Sequence, residues 1–394
     1  MKWLSRFFEK RTSSRDPYLA EMMGLRDNST GQFVSEDTAT GIPAVHACVQ
    51  LISESVASLP LAPYRILADG SKEVDTNHPL YTVLHDQANQ VQTAFEFREQ
   101  FAAACLLTGN AFAIKRVDSA GAVRELLPIP PHHVIVERLQ NGRLRYKVAH
   151  ESGTRVYTQD EILHLRYRSK DGGTGLSPIS IARETIGIAQ AQQQHEGTFY
   201  KNGTTLSGAL EHPSKLTLEQ ITHIRESFEG KFSGSGNSWK VLVLEEGMQW
   251  KPLTMTHEDA QFIESKRLTL EDVARIYRVP PPAIGILTDA TYSNITEQSR
   301  HLVVHTLRPW LVRIEQAMNA ALLSEDGKRT HVIEHNAEGL LRGDIKARYE
   351  AYRIGREWGW LSPNEIRGLE NLGSIEGGNE YRTPMNSEPL GVQQ

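Results

Sequence analysis

The feature that most constrains this fold is a pair of long helical runs with a self-contained segment between them. Ser177-Pro178 puts a capping hydroxyl and a first-turn proline at a helix start, and the run that follows extends to about Tyr200, where Asn202-Gly203 stops it. A second run, capped by Thr256 and continuing through Asp259, Phe262, Leu270 and Ile276, stops at Pro280-Pro281-Pro282. Between them lies an island, residues 206–252. It holds a helix with Thr217 and Gln220 at capping-box spacing, followed by Leu218, Ile221, Ile224 and Phe228. A hairpin comes next, Lys240–Leu244 turning at Glu245–Gly247 into Met248–Leu253. A compact α/β knob carried on two long helices is an unusual architecture for an enzyme.

The rest of the chain is arranged around that unit. Residues 1–40 are polar and weakly patterned and read as a mobile arm. Val45, Val49, Ile52 and Val56 then mark one face of a helix that Leu59-Pro60-Leu61 ends. From 61 to 170 strands dominate: Tyr64–Leu67 before an Asp69-Gly70 turn, a helix over Phe95–Leu107, then Ala111–Val117 and Val123–Ile129. Val134–Leu139 and Leu144–Ala149 flank Asn141-Gly142, a tight hairpin signal, and Ile162–Arg166 adds a strand. Beyond the proline triplet come a loop over Ala283–Ile295, a long helix marked by Leu307, Leu311, Ile314, Met318 and Leu322, and a strand near Thr330–His335. Helices follow over Gly343–Trp358 and from the Ser362-Pro363-Asn364-Glu365 capping box to Gly373, before a tail expected to be disordered. The fold class is α+β.

Composition limits the chemistry. With 39% hydrophobic and 23% charged residues over 394 positions, the chain has a globular composition. No stretch reaches the ~18 apolar residues of a membrane span, and MKWLSRFFEKR lacks a secretory core, so the expected compartment is the cytoplasm of the producing cell. Cys48 and Cys105 sit in apolar helical patterns and read as buried small hydrophobes, with no disulfide and no metal site. The net charge of −5 and pI near 6.3 argue against tight phosphate binding, which needs a basic excess.

Sites of chemistry are scarce. Gly172-Gly173-Thr174-Gly175 has no following Lys-Ser or Lys-Thr and reads as a turn into a capped helix. Gly234-Ser235-Gly236 is a loop tip, and there is no G-x-S-x-G elbow. His301 and His305 share a helix face without a third ligand, and His132-His133 cannot share a strand face. Trp310 and Trp250 read as core anchors, and Trp358 and Trp360 as packing at a helix corner. No catalytic residue, metal site or cofactor is expected.

Several segments, taken in order, resemble the portal protein family of tailed bacteriophages, in its short siphophage-type branch. They include GLSPI at 175–179, FYKNG at 199–203, VLVLEEGMQW at 241–250, DAQFIESKR at 259–267 and VARIYRVPP at 273–281. YSNITEQ at 292–298, HTLRPWLVRIEQ at 305–316, GLLRGDIKARYEAY at 339–352 and LSPNEIRGLENL at 361–372 complete the series, with AVHACVQLISESVASLPL upstream.

The resemblance implies a subunit with a wing at 41–176, stem helices at 177–205 and 254–279, and a clip at 206–253. A tunnel loop at 280–296, a long helix and return strand of the wing at 297–338, a helical crown at 339–373 and a disordered tail at 374–394 complete it. It further implies a homo-oligomeric ring, a dodecamer, at one capsid vertex of the virion, assembled in the host cytoplasm. Double-stranded DNA would pass through without sequence specificity. The partners would be the terminase large subunit, a head–tail adaptor, and a major capsid or scaffold protein. Channel residues would be Leu287, Asp289, Thr291, Tyr292, Ser293 and Asn294; the clip face would use Lys215, Arg225, Glu229 and Lys231. With no Lys or Arg between Val279 and Gln298, the loop is expected to touch DNA without gripping it; the alternative is a loop packed on a neighbour. Rival readings are another ring-forming connector or minor capsid protein, and a maturation protease or nuclease, which would need a nucleophile or metal cluster.

Overall fold

The computed structural model describes residues 28–151, 153–202, 208–212, 217–222, 248–252, 257–286, 298–336, 345–370 and 373–381. The chain falls into two compact units, Met1–Ser58 with Ala62–Glu334, and Leu59–Leu61 with His335–Gln394.

In the first unit, α1 (Glu36–Thr40) leads into α2 (Pro43–Ser58), which buries Val45, Cys48, Val49, Ile52 and Val56, the face expected from their spacing. α3 (Ala94–Thr108) opens on a reciprocal capping box: the Thr93 hydroxyl accepts from the Glu96 amide, and the Glu96 carboxylate accepts from the Thr93 amide at 2.8 Å. Gly109 ends it in the left-handed region, φ 79°. The two helices pack together. Arg98, 7% exposed, ties α3 to its neighbours by donating to the Ala57 carbonyl at 2.8 Å and to the Leu84 carbonyl. Burial lowers its guanidinium to about 10, so it remains charged at neutral pH and the bonds are charge-assisted.

Three antiparallel strands form a sheet in the order β4–β3–β8, comprising β3 (Asn110–Val117), β4 (Val123–Ile129) and β8 (Ile162–Arg166). A second sheet consists of β5 (Val134–Arg138), β6 (Leu144–His150) and β7 (Gly153–Thr158). Its first turn is the expected one, with Gly142 at φ 81°. Phe112, Ile129, Leu144, Tyr146, Val148 and Ile162 join the two sheets in one apolar cluster. A third sheet sets β11 (His331–His335) beside β1 (Leu61–Ile66), which pairs with β2 (Lys72–Val74).

The helical part begins with α4 (Pro178–Ile181), where the Ser177 hydroxyl caps the Ser180 amide as expected. The helix expected to run on without interruption breaks at Ala182 and resumes as α5 (Arg183–Asn202). After the island, α6 (His257–Tyr277) packs on α5. The long helix is also not uniform: Leu302–Leu307 is a π-helical stretch, with the Arg308 amide donating to Val303, and α7 (Arg308–Leu322) follows. Pro309 explains the change. It has no N–H and its ring crowds the carbonyl four residues back, so an i→i+5 turn before it relieves what would break an α-helix. A short α8 (Gly327–Thr330) precedes β11.

Other expectations need correction. Residues 28–40, read as mobile arm, are packed: Asn28 is 6% exposed, the Ser29 amide donates to Glu184 at 3.0 Å, and Gln32 donates to Gln194 at 2.8 Å. This docking is polar, so it leaves no apolar periodicity to read. β2 and β7 were not foreseen because their side chains are almost all exposed and carry no alternation. In the island, Thr217 and Gln220 do cap residues 218–222. There, β10 (Gln249–Pro252), the second arm of the expected hairpin, pairs with β9 (Gly208–Glu211); the arm at 240–244 lies outside the described residues.

In the second unit, α9 (Ile345–Glu357) and α10 (Pro363–Leu369) follow, with the Ser362–Glu365 capping box present. The tail expected to be disordered from 374 is held as far as 381. Asn364 donates from its amide to Gly378 at 2.8 Å and from Nδ2 to Ile375 at 2.9 Å, and the Tyr381 hydroxyl donates to Glu365 at 2.6 Å. Trp358 and Trp360, expected to pack a corner, are 61% and 69% exposed.

Candidate functional site

The residues expected to line a channel, Leu287, Asp289, Thr291, Tyr292, Ser293 and Asn294, lie outside the described residues, as do Lys215, Arg225, Glu229 and Lys231, expected on the clip face. What the structure describes is their frame. α6 ends in a Schellman motif: the Val279 amide reaches back to Ala274 at 2.9 Å and the Arg278 amide to Arg275 at 3.1 Å. Arg278 takes the left-handed position with φ 59°, a conformation a side chain adopts at a cost of about 1 kcal/mol. The proline triplet then forms a tight turn over Pro281–Ile284, closed by Gly285 at φ 85°. From the far side of the loop, the buried Thr306 hydroxyl donates to the Arg278 carbonyl. One side-chain bond therefore ties the end of α6 to the π-helical stretch, with the proline turn between Arg278 and Ile286.

The island has a comparable frame. α5 and α6 are bonded near their middles by Lys266 to Glu196 at 2.6 Å and by Gln192 to Ser265 at 3.2 Å. The β9–β10 pair joins the residues that follow α5 to those that precede α6.

A third feature was not legible in the sequence. A cleft of about 890 Å³ opens where β3, β6 and β8 face the π stretch and α7; it is lined by Lys115, Arg138, Arg166, Arg308 and Arg313, with Asp160 as its one lining carboxylate. These cations come from distant segments, so spacing gives no sign of them. At its floor, Tyr146 and His164 form a buried chain: His164 Nε2 lies 3.1 Å from the Asn110 side-chain oxygen and Nδ1 lies 3.2 Å from the Tyr146 hydroxyl. Burial, helped by Arg166, lowers the His164 imidazole to about 3. The ring is therefore neutral, donating from Nε2 and accepting at Nδ1, and it acts as a structural bridge.

The described residues offer little to reaction chemistry. Burial pushes both thiols, Cys48 and Cys105, up to about 12, far from the thiolate a nucleophile needs. The amides of Gly173 and Thr174 are turned onto the Asp171 carboxylate, so the glycine-rich loop satisfies itself and cradles no phosphate. Trp310 is buried as expected, against Tyr167 at 5.6 Å; the Trp250 side chain lies outside the described residues. Among the described residues no group of three His, Cys, Asp or Glu could hold a metal ion, and no helix is long and apolar enough to cross a membrane.

Comparison with known proteins gives this frame a family. A family model described as phage portal protein matches residues 43–371. The portal protein of Enterobacteria phage HK97 is 32% identical over 350 residues, covering 88% of this chain and 82% of that protein. The probable portal protein of Streptomyces phage phiC31 is 30% identical over 378 residues, covering 93% and 82% respectively. A chain from the virion of a native gene transfer agent particle superposes with a TM-score of 0.63 at 25% identity, over 86% of this chain and 92% of that one. The match takes in α2 through α10, including the α5–island–α6 unit and the framed loop that follows it. This chain belongs to the phage portal protein family.

Proposed function

We propose that the chain is the ring subunit at one capsid vertex of a virion, forming the conduit through which double-stranded DNA enters and leaves. The observation that carries the reading is the α5–island–α6 unit followed by a loop whose flanks are joined by the Thr306–Arg278 bond, within a match to the family over residues 43–371. Here residues 41–176 with 297–338 serve as wing, 177–205 and 254–279 as stem, 206–253 as clip, 280–296 as tunnel loop and 339–373 as crown. The ring closes as a dodecamer. Its clip face, with Lys215, Arg225, Glu229 and Lys231, receives the terminase large subunit and later the head–tail adaptor; its outer face meets major capsid or scaffold protein.

In this reading the subunit is a passive conduit and not an enzyme: ATP hydrolysis belongs to the docked terminase. The net charge of −5 and the absence of Lys or Arg from the tunnel loop suit a surface along which DNA slides, because every retained phosphate contact is a barrier to movement. Light scattering with negative-stain imaging of the purified chain tests the ring. The expected result is a closed ring of about twelve copies with a hole near duplex width. A monomer that stays monomeric when scaffold protein is added refutes it.

A further inference from the structure

Two features, one at the β4 edge of the β4–β3–β8 sheet and one beside β8, carry opposite charge. At the β4 edge, residues 86–96 form an anchored apolar tip. Asn89, 6% exposed, donates to the Leu126 carbonyl at 2.9 Å and accepts from the Val91 and Gln92 amides, while the Ala88 carbonyl accepts from the Leu126 amide. This anchorage holds Val91 90% exposed, with Phe95 40% exposed on the first turn of α3. Exposed acids flank it, Asp86 beside the His85 ring nitrogen at 2.7 Å and Glu96 with one carboxylate oxygen capping α3, and the nearby cation Arg98 is turned inward.

Where β3, β6 and β8 face α7 lies the cationic cleft. Lys115, Arg138 and Arg166 donate to backbone carbonyls, and Arg313 lies over the Tyr167 and Trp310 rings at 4.8 and 4.9 Å. Among the described residues, neither these four nor Arg308 is salt-bridged to a carboxylate. The cleft is thus positive in a chain whose net charge is −5, and Val312, 41% exposed, gives it an apolar wall.

We propose that the 86–96 tip of one copy seats in the cleft of the next, with Val91 against Val312 and Asp86 and Glu96 facing Arg308 and Arg313. The inference rests on the ring reading. A ring made by one repeated contact needs two different surfaces on the subunit, and the β4-edge tip and the cleft supply them. Complementary charge at the rim fixes orientation, while the apolar tip supplies burial.

The test mixes a Val91→Cys chain with a Val312→Cys chain, full length, and reads disulfide-linked pairs on a non-reducing gel; the native thiols are buried. Linkage is expected for this pair and absent when Val117→Cys replaces Val312→Cys. Adding Arg308→Glu to the acceptor should lower linkage about tenfold, and Asp86→Arg in the donor should restore it. Rings seen by negative stain without linkage would overturn this contact and leave the ring reading standing. Neither rings nor linkage would overturn both, and equal linkage in the Val117→Cys control would overturn the contact.

Discussion

Replacing Gly175 by alanine tests how the loop after β8 is built. A Cβ at Gly175 would lie 1.9 Å from the Gly109 carbonyl oxygen, 2.9 Å from the Tyr167 amide nitrogen and 3.0 Å from the Gly109 carbonyl carbon. All three are backbone atoms, so no rotamer change relieves the clash, and the two segments must separate by about 1.5 Å to reach ordinary contact. Three hydrogen bonds span that crossing: Tyr167 N–H to Gly109 O at 2.8 Å, Gly175 N–H to Asn110 Oδ1 at 2.7 Å, and Asn110 Nδ2 to Gly175 O at 3.0 Å. At about 1 kcal/mol each, with roughly 1–3 kcal/mol for overpacking, the loss is about 4–6 kcal/mol. For a unit of this size, with an unfolding entropy of about 2.1 cal/mol/K per residue, that lowers Tm by roughly 6–9 °C. Thermal melting followed by far-UV circular dichroism measures it. Gly142→Ala is the control, because Gly142 has φ 81° but nothing within 4 Å; it should cost only about 1–2 kcal/mol of backbone strain. Equal shifts for the two variants would refute the steric argument.

Three further outcomes follow from the geometry. His164 is held near a pKa of about 3 in the fold, whereas an unfolded imidazole titrates near 6.5, so only the unfolded state takes up this proton between those values. Stability from this site is full above pH 6.5 and falls as the pH drops toward 3; denaturant melts should show His164→Gln losing part of that acid dependence while being less stable at pH 7. Gly187→Ala would bring a Cβ within 2.2 Å of Asn28 Nδ2; limited trypsin should then cut near residue 28 several-fold faster, even though alanine favours the helix by about 1 kcal/mol. Asp289→Lys with Asn294→Lys should slow or stall DNA packaging in an in vitro assay; unchanged packaging would remove weak loop contact as a reason for the loop's composition.

The sequence was most readable where apolar side chains repeat or caps are reciprocal. Val45 to Val56, the Thr93–Glu96 and Ser362–Glu365 boxes and the Asn141-Gly142 turn all mark the elements they begin or join. It was least readable where polar atoms do the joining. Ser29 and Gln32 on α5, and Asn364 on residues 375–379, dock chain segments through polar hydrogen bonds, which have no period. Pro309 was visible, but the π stretch it requires was not, because i→i+4 and i→i+5 turns use the same side-chain alphabet. The cationic cleft is assembled from strands and a helix far apart in the chain, so it became visible only in three dimensions.

The π stretch before Pro309 also sets a phase. Each α-helical residue advances the azimuth by about 100°, so one surplus residue between 302 and 307 turns everything upstream by about that angle relative to the apolar face of α7. The chain at Gln298 is thereby aimed along a different bearing from the one an unbroken helix would give it. A single deletion within Leu302–Leu307, with Pro309 replaced by a residue that has an N–H, would rotate that bearing back while leaving the buried face of Leu311, Ile314, Met318 and Leu322 unchanged.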